Sequence, residues 1–202
     1  PRPSCRYPRA WRGSIPAPGP ATARYGGNTS CVEIRGGGQI IILDAGTGLR
    51  ALGKSLLAEF KNRPLNLTLL LTHTHWDHIH GLPFFAPIYQ PRCRLRIIGC
   101  KGARQGLVEA LTGQMESTYF PVSFGKLPSN IEIEELKNFD FKIGSVRVRA
   151  QRANHPGLCV GYRLFTPGGS VAFFPDNVSH PRGDDPRRAE VLRDAEVLIL
   201  DS

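Results

Sequence analysis

The sequence predicts a mixed α/β protein in which two β-sheets pack face to face with helices outside them. Three observations lead to this prediction. The chain has 202 residues, 41% of them apolar, which suits one sizeable core and a single domain spanning 1–202. Some β-type runs are joined by tight turns, as in hairpins. Others are joined by stretches of helical spacing, and this mixture disfavours a simple doubly wound parallel sheet.

The first elements follow from glycine and proline positions. Residues 1–24 are rich in proline, so we expect an irregular N-terminal segment. The glycine triplet 36–38 separates the β-type runs 31–35 and 39–43, which predicts a β-hairpin. Residues 49–60 then carry apolar side chains at helical spacing after a threonine that can cap a helix.

The middle of the chain alternates strands and helices. Residues 67–71 are almost wholly apolar and predict a buried strand. A helix is expected at 79–89, interrupted near its two prolines because proline lacks the backbone donor that a helix needs. A strand at 94–98 and a helix at 103–115 follow.

The remainder is expected to be mainly β-structure. Turn-forming residues separate β-type runs, which we assign as strands at 131–136, 146–152, 160–165 and 171–174. A short helix at 186–193 and a buried strand at 197–200 complete the prediction.

The segment 71–78, with the sequence LTHTHWDH, concentrates metal-binding side chains directly after the predicted buried strand. An extended chain directs His73 and His75 to the same side, because the strand period is two. The chain is expected to turn beyond them, so that Asp77 and His78 face a neighbouring centre. Three of the six histidines of the chain lie within these positions. The arrangement is typical of a binuclear zinc site.

Further motifs accompany this segment: RGSIP at 12–16, YGGNTS at 25–30, LDAGTG at 43–48, NHP at 154–156 and FPDN at 174–177. In this order and spacing, the motifs resemble those of the metallo-β-lactamase-fold hydrolases. The likeness is greatest to the branch that contains cyclic-nucleotide phosphodiesterases and ribonuclease Z. It extends from Arg12 to the C-terminus and implies a four-layer αββα sandwich.

The resemblance also implies a ligand set for two Zn²⁺ ions per chain, with Mn²⁺ or Fe²⁺ as alternatives. The implied ligands are His73, His75 and His155 for the first ion, Asp77 and His78 for the second, and Asp176 as a bridge. Asp44 would be a buried carboxylate that orients the metal loop, although a strand-end turn residue is an equal interpretation. The two ions would present a bridging hydroxide as the nucleophile, and Asp77 would orient it.

The leading hypothesis is a zinc-dependent phosphodiesterase acting on cyclic nucleotides or similar small phosphodiesters. Two alternatives stay open: hydrolysis of thioesters, lactones or β-lactams at the same centre, and an inactive metal-binding module. Related proteins usually supply one more histidine beyond the strand that ends near Asp201, whereas this sequence ends at Ser202. We therefore expect a C-terminally truncated fold, without the last strand and helices, and a weakened second metal site.

Composition gives weaker indications of partners and location. The net charge of +9 suits an anionic substrate, but basic residues form no long run and no aromatic residues interleave with them, so RNA is compatible without being indicated. The five cysteines are scattered, which favours reduced thiols and a cytoplasmic protein. No apolar run approaches the roughly 18 residues of a transmembrane helix, and residues 1–20 lack the apolar core of a signal peptide.

Three further features have less definite expectations. His80 is expected on a helix surface and His180 in a loop. Residues 117–122 would form either an apolar wall over the metals or a loop packed on the core.

Overall fold

The structure is a computed structural model that describes residues 4–6, 15–24, 26–101, 106–178 and 186–200. The strands in these ranges are β1 Ser4–Arg6, β2 Val32–Gly36, β3 Gln39–Leu43, β4 Leu65–Leu71, β5 Cys93–Gly99, β6 Asn130–Glu135, β7 Asp140–Ile143, β8 Val146–Arg152, β9 Val160–Thr166, β10 Gly169–Phe174 and β11 Val197–Leu200. The α-helices there are α1 Gly48–Phe60, α2 Trp76–Ile79, α3 Leu107–Thr112 and α4 Pro186–Leu192. Short 3₁₀ turns lie at Pro20–Thr22, Leu82–Phe84, Ala86–Tyr89, Gly113–Met115 and Phe124–Lys126.

The described strands form two sheets. The first has the order β1-β2-β3-β4-β5-β6; β2 is antiparallel to both β1 and β3, and β3 to β6 run parallel. The second has the order β11-β10-β9-β8-β7 and is antiparallel except for the parallel pair β10 and β11. Hairpins and crossover connections thus both occur, as predicted.

Strand β4 shows why an almost wholly apolar run lies at the centre of the first sheet. Successive side chains of a strand point to opposite faces. Leu69 packs in one core with Leu52 and Leu56 of α1, whereas Leu70 packs in a second core with residues of the other sheet such as Tyr162. Since both faces are covered, the second half of the strand, Leu69 to Leu71, is continuously apolar. The second core is the interface between the sheets.

Helix α4 covers the outer face of the second sheet and is tied to it by Arg163 of β9. The buried Arg163 guanidinium donates to the carbonyl oxygens of Val191 at 3.1 Å, of Arg193, and of Asp194 at 3.0 Å. These carbonyls lie in the last turn of α4 and just beyond it, where helical acceptors lack intrahelical donors. With α1 outside the first sheet, the layers are helix, sheet, sheet and helix.

Three local predictions were wrong. Residues 79–89 do not form one interrupted helix: α2 ends at Ile79, and two 3₁₀ turns follow, each with a proline in its first two positions. Strands β1 and β7 were not predicted, because both are short and β1 lies in a segment expected to be irregular. Thr47 occupies the N-cap position of α1 without capping it, because its hydroxyl accepts the Thr29 amide at 2.8 Å.

The helix predicted at 103–115 is shorter than expected in its described part. Helix α3 extends over Leu107–Thr112 and continues as a 3₁₀ turn to Met115, while residues 102–105 lie outside the described ranges. None of the helices in the described part of the chain has the length and apolar character needed to span a bilayer.

Candidate metal centre

The metal-binding segment begins where β4 ends at Leu71 and changes direction at His75. His75 retains extended backbone angles, φ −65° and ψ 149°, and is the N-cap of α2. The His78 amide then donates to the His75 carbonyl at 3.0 Å, which closes one helical turn. The rings of His73 and His75 lie together, with their centroids 4.4 Å apart. The turn carries Asp77 and His78 toward a second position.

The first group of ligand atoms comes from His73, His75, His155 and Asp176, all within 4.8 Å of one another. His155 Nε2 lies 3.1 Å from His75 Nδ1 and 3.5 Å from Asp176 Oδ2, and His73 Nε2 lies 3.4 Å from the same oxygen. His155 follows β8 and Asp176 follows β10, so the second sheet supplies half of this group. Three imidazoles and a carboxylate are a donor set that Zn²⁺ favours.

The second group consists of Asp77, His78 and Asp176. His78 Nε2 lies 3.1 Å from Asp77 Oδ2 and 3.3 Å from Asp176 Oδ2. The same Asp176 oxygen therefore approaches donor atoms of both groups. One imidazole and two carboxylates are harder ligands than the first group offers, and they suit Zn²⁺, Mn²⁺ or Fe²⁺.

Asp44 lies beneath both groups and is completely buried. Its carboxylate accepts the Thr72 amide at 2.8 Å, the Thr72 hydroxyl at 3.0 Å and the Ser30 hydroxyl at 3.2 Å. It also lies 2.7 Å from His78 Nδ1. A carboxylate only accepts hydrogen bonds, so His78 Nδ1 carries the proton and His78 Nε2 faces Asp77 and Asp176. Asp44 is thus buried and in contact with His78 and Thr72, and is not only a strand-end turn residue.

The same network fixes the orientation of His73. Because the Thr72 hydroxyl proton is directed to Asp44, its oxygen is free to accept from His73 Nδ1, which lies 3.1 Å away. The Cys159 sulfur lies 3.6 Å from the same nitrogen. His73 Nε2 is buried and lacks a hydrogen-bond partner, although it faces the cluster. A buried nitrogen lone pair without a donor is what a metal ligand presents.

The pKa values of the two buried histidines shift in opposite directions, because three carboxylates surround His78. Burial, followed by the charge of His78, lowers the pKa of His73 to about 3. Burial also acts to lower the pKa of His78, but the Asp44 charge and hydrogen bonds to Asp176, Asp44 and Asp77 outweigh it and raise that pKa to about 12. Three carboxylates around one imidazole require a positive charge. A divalent cation at His78 Nε2 would replace the proton, so the residues fit a metal ion.

Two carboxylates of the cluster favour the ionised form that a ligand needs. Burial acts to raise the pKa of Asp77 and that of Asp176, but hydrogen bonds to His78 and the charge of His78 together outweigh burial and hold both pKa values below the usual range.

Backbone contacts hold the metal segment against the loop after β3. The Ala45 amide donates to the His78 carbonyl at 2.7 Å, and the Gly81 amide donates to the Ala45 carbonyl at 2.8 Å. The two chains approach so closely at Gly81 that a Cβ there would lie 2.0 Å from the Gly46 carbonyl oxygen. Glycine is therefore required by the close approach of two backbones.

The other histidines lie apart from these groups or outside the described residues. His80 ends the α2 turn, is half-buried, and its Nδ1 contacts the Trp76 carbonyl oxygen. His180 belongs to 179–185, which the structure does not describe. Residues 119 and 120, in the segment 117–122, line a cavity of about 770 Å³ next to α2.

Sequence reasoning did not identify Ser30, Thr72 or Cys159. Thr72 precedes the first ligand, and its side-chain hydroxyl at the end of an apolar strand was an available signal. Ser30 and Cys159 gave no such signal, because their relation to the cluster depends on chain segments that meet only in the folded state.

Comparisons with known proteins agree with this architecture. The family profile described as the β-lactamase superfamily domain matches residues 39–202. Ribonuclease Z of Agathobacter rectalis is 33% identical over 143 residues, which are 67% of this chain and 42% of that protein. The chain thus spans less than half the length of this curated relative.

Two solved structures have a similar fold. The crystal structure of a diphosphatase from the PhnP family has a TM-score of 0.58 and 18% identity, covering 84% of this chain and 59% of that one. Human tRNase Z, short form, has a TM-score of 0.57 and 17% identity, covering 86% of this chain and 70% of that one. From the profile match, the two sheets and their outer helices, we conclude that the chain belongs to the β-lactamase superfamily and has the metallo-β-lactamase fold.

Proposed function

We propose that this chain is a binuclear metal-dependent phosphodiesterase. The observation that carries the proposal is the position of Asp176, whose single Oδ2 lies within 3.5 Å of nitrogen atoms from both ligand groups. A shared carboxylate would hold two cations close together, an arrangement that many enzymes use to cleave phosphodiesters. The likeness to a ribonuclease supports a phosphodiester over a carboxyl ester.

The proposed ligands are those predicted from the sequence. His73, His75 and His155 would hold one ion, Asp77 and His78 the other, and Asp176 both. Zn²⁺ is the proposed metal, since three imidazoles dominate the first group. Bound there, the ions supply Lewis-acid polarisation of the substrate and a water whose pKa is lowered toward neutrality.

The protein residues would orient the reactants. Asp77 is partly accessible and, being ionised, can accept a hydrogen bond from the attacking water and align it with the phosphorus atom. Asp44 and Thr72 would hold the imidazoles of His78 and His73 so that neither rotates during the reaction. Both positioning residues are buried, which limits competition from solvent.

We further propose a small phosphodiester as substrate, with RNA as the alternative to be compared with it, and a cytoplasmic location. The described cysteines Cys31, Cys93, Cys100 and Cys159 are free and buried, which is consistent with reducing surroundings.

The test combines metal analysis with hydrolysis of bis(p-nitrophenyl) phosphate by zinc-loaded protein. We expect about two metal equivalents per chain and measurable turnover. His75→Ala should lose one equivalent and reduce turnover by at least about 100-fold, because the water that attacks phosphorus is activated there. Lys54→Ala, on the exposed side of α1, is the control and should retain both properties.

Two results would contradict the proposal. One is hydrolysis that survives both His75→Ala and metal removal. The other is a fully metal-loaded protein that cleaves thioesters or lactones but neither bis(p-nitrophenyl) phosphate nor an RNA oligonucleotide.

A further inference from the structure

A cavity of about 770 Å³ lies beside α2, the helix that carries Asp77 and His78 of the proposed metal centre. One of its walls is α2, through Trp76, and the position of Trp76 is informative. It stands between His75, a member of the first ligand group, and Asp77, a member of the second. A molecule in this cavity would therefore contact the same short helix that carries Asp77 and His78 of the second ligand group. Its volume falls within the range typical of small-molecule sites.

The cavity presents aromatic rings to solvent. Trp76 is 80% exposed, Tyr119 75% and Phe84 54%, and all three side chains line this one cavity. Phe84 is held by an edge-to-face contact with Phe120, with ring centroids 5.5 Å apart. Single exposed aromatic residues are common, but three on one concave surface form a platform on which a planar group can stack.

The charge of the lining restricts what can bind there. The ionisable side chains around the cavity are Glu109, Glu116 and His80, and neither lysine nor arginine is among the described lining residues. In a chain of net charge +9, this absence disfavours an anionic occupant such as a second phosphate or an RNA backbone. A neutral, planar group with N–H donors suits aromatic faces flanked by carboxylate acceptors.

We propose that the cavity binds the nucleobase of a nucleotide phosphodiester whose phosphate lies at the metal centre. The base would stack against Trp76 and Tyr119, and its exocyclic amino group would donate to Glu109 or Glu116. Bases that carry such an amino group, adenine above all because of its large ring system, would therefore bind best. This inference rests on the proposed phosphodiesterase function, because it assigns the two ends of one substrate.

Binding of the base can be measured without turnover. The chain has two tryptophans, so Trp11→Phe leaves Trp76 as the only indole reporter. Titration with adenosine, which lacks phosphate, should give saturable quenching of Trp76 fluorescence, and ribose should give none. Phe84→Ala and Tyr119→Ala should each raise the apparent Kd by about fivefold or more, as expected for loss of a stacking partner. Phe139→Ala is the matched control, since Phe139 is partly exposed and outside the cavity.

Kinetics then separate this inference from the proposed function. The p-nitrophenyl ester of adenosine 5′-phosphate should have a lower KM than methyl p-nitrophenyl phosphate. Tyr119→Ala should raise KM for the adenosine ester only. Hydrolysis of both diesters with equal KM, and no quenching by adenosine, would overturn the nucleobase site and leave the phosphodiesterase function standing. The nucleobase site would also be overturned by equally strong quenching in the variants Phe84→Ala, Tyr119→Ala and Phe139→Ala. Failure to hydrolyse either diester would refute the function itself.

Discussion

At the scale of single residues, Asp44 has the widest influence on the centre. It is buried and has a left-handed backbone conformation, with φ 59°, at the end of β3. Aspartate and asparagine tolerate this conformation better than most residues do. Through its direct contact with His78 and its contact with Thr72, which reaches His73, one carboxylate sets the orientation of an imidazole in each ligand group.

Asp44→Asn tests this role without changing side-chain shape or straining the backbone. An amide has only one acceptor atom, so its NH₂ group would face either the Thr72 hydroxyl or His78 Nδ1. One of the two imidazoles would then lose its orienting acceptor. We expect metal affinity to fall by about 10–100-fold, as is usual when such a supporting contact is lost. Competition with a chromophoric chelator measures the change.

Asp140→Asn is the control for this experiment. Asp140 is an exposed aspartate that pairs with Arg147 in the second sheet, away from the centre. Equal metal affinities of Asp44→Asn and Asp140→Asn would show that the buried carboxylate does not orient the ligands.

At the scale of elements, the position of the α2 turn depends on the loop after β3, to which it is hydrogen-bonded. Two backbone hydrogen bonds fix the position of α2 relative to the end of β4. The Ala45 amide donates to the His78 carbonyl, and the Gly81 amide donates to the Ala45 carbonyl. The turn itself is four residues long, which is too short to be stable alone. Its geometry is therefore imposed by the neighbouring loop.

Gly81→Ala should disturb this contact. The added methyl group would overlap the Gly46 carbonyl oxygen, and backbone cannot move aside as a flexible side chain can. We expect the free energy of unfolding, measured by urea denaturation, to fall by about 1–3 kcal/mol. Gly125→Ala is the matched control, because a Cβ at residue 125 meets nothing within 4 Å. A Gly81→Ala protein as stable as Gly125→Ala would mean that the loop and the turn can separate without cost.

Some strands of the fold could be predicted from the sequence, and others could not. Strands such as β4 and β10 were predicted because their apolar runs reflect burial on both faces. The proposed ligands of the metal segment were predicted from their spacing, and the structure brings their side chains together in two groups that could hold a metal ion. Strand β7 was missed because only Ile143 of its four residues is buried, so its pairing with β8 determines it more than its own pattern does.

Tertiary contacts account for the remaining differences. The helix predicted over 79–89 failed because both prolines and the close approach at Gly81 break a continuous ladder of hydrogen bonds. The Ser30, Asp44 and Thr72 network joins segments distant in sequence, and local patterns carry no information about such a meeting.

At the scale of the whole molecule, the two sheets are joined by polar contacts close to the centre as well as by the core between them. The buried Tyr162 hydroxyl of β9 donates to the Leu71 carbonyl at 2.7 Å, and the Val160 amide donates to the Thr72 carbonyl at 3.0 Å. Both acceptors lie at the point where β4 passes into the metal segment. The second sheet therefore supports the ligands that the first sheet carries.

Tyr162→Phe removes one of these contacts while keeping the ring. The Leu71 carbonyl would remain buried without that donor, so we expect a loss of about 1–3 kcal/mol in unfolding free energy. Tyr119→Phe, at an exposed ring, should leave stability nearly unchanged. Differential scanning calorimetry of metal-loaded proteins compares the two. Identical transition temperatures for both variants and the parent chain would argue against polar coupling of the sheets.

Because the two sheets supply different proposed ligands, these ligands are also synthesised at different times. During synthesis His73, His75, Asp77 and His78 emerge first, and the interval before Asp176 is made lasts roughly 5–20 s at ~5–20 residues per second. With the proposed ligands, a nascent chain in this interval would offer imidazoles without the shared carboxylate, and would bind divalent ions without the final geometry that discriminates between them. The choice of metal would then be completed only when β10 joins its sheet and delivers Asp176.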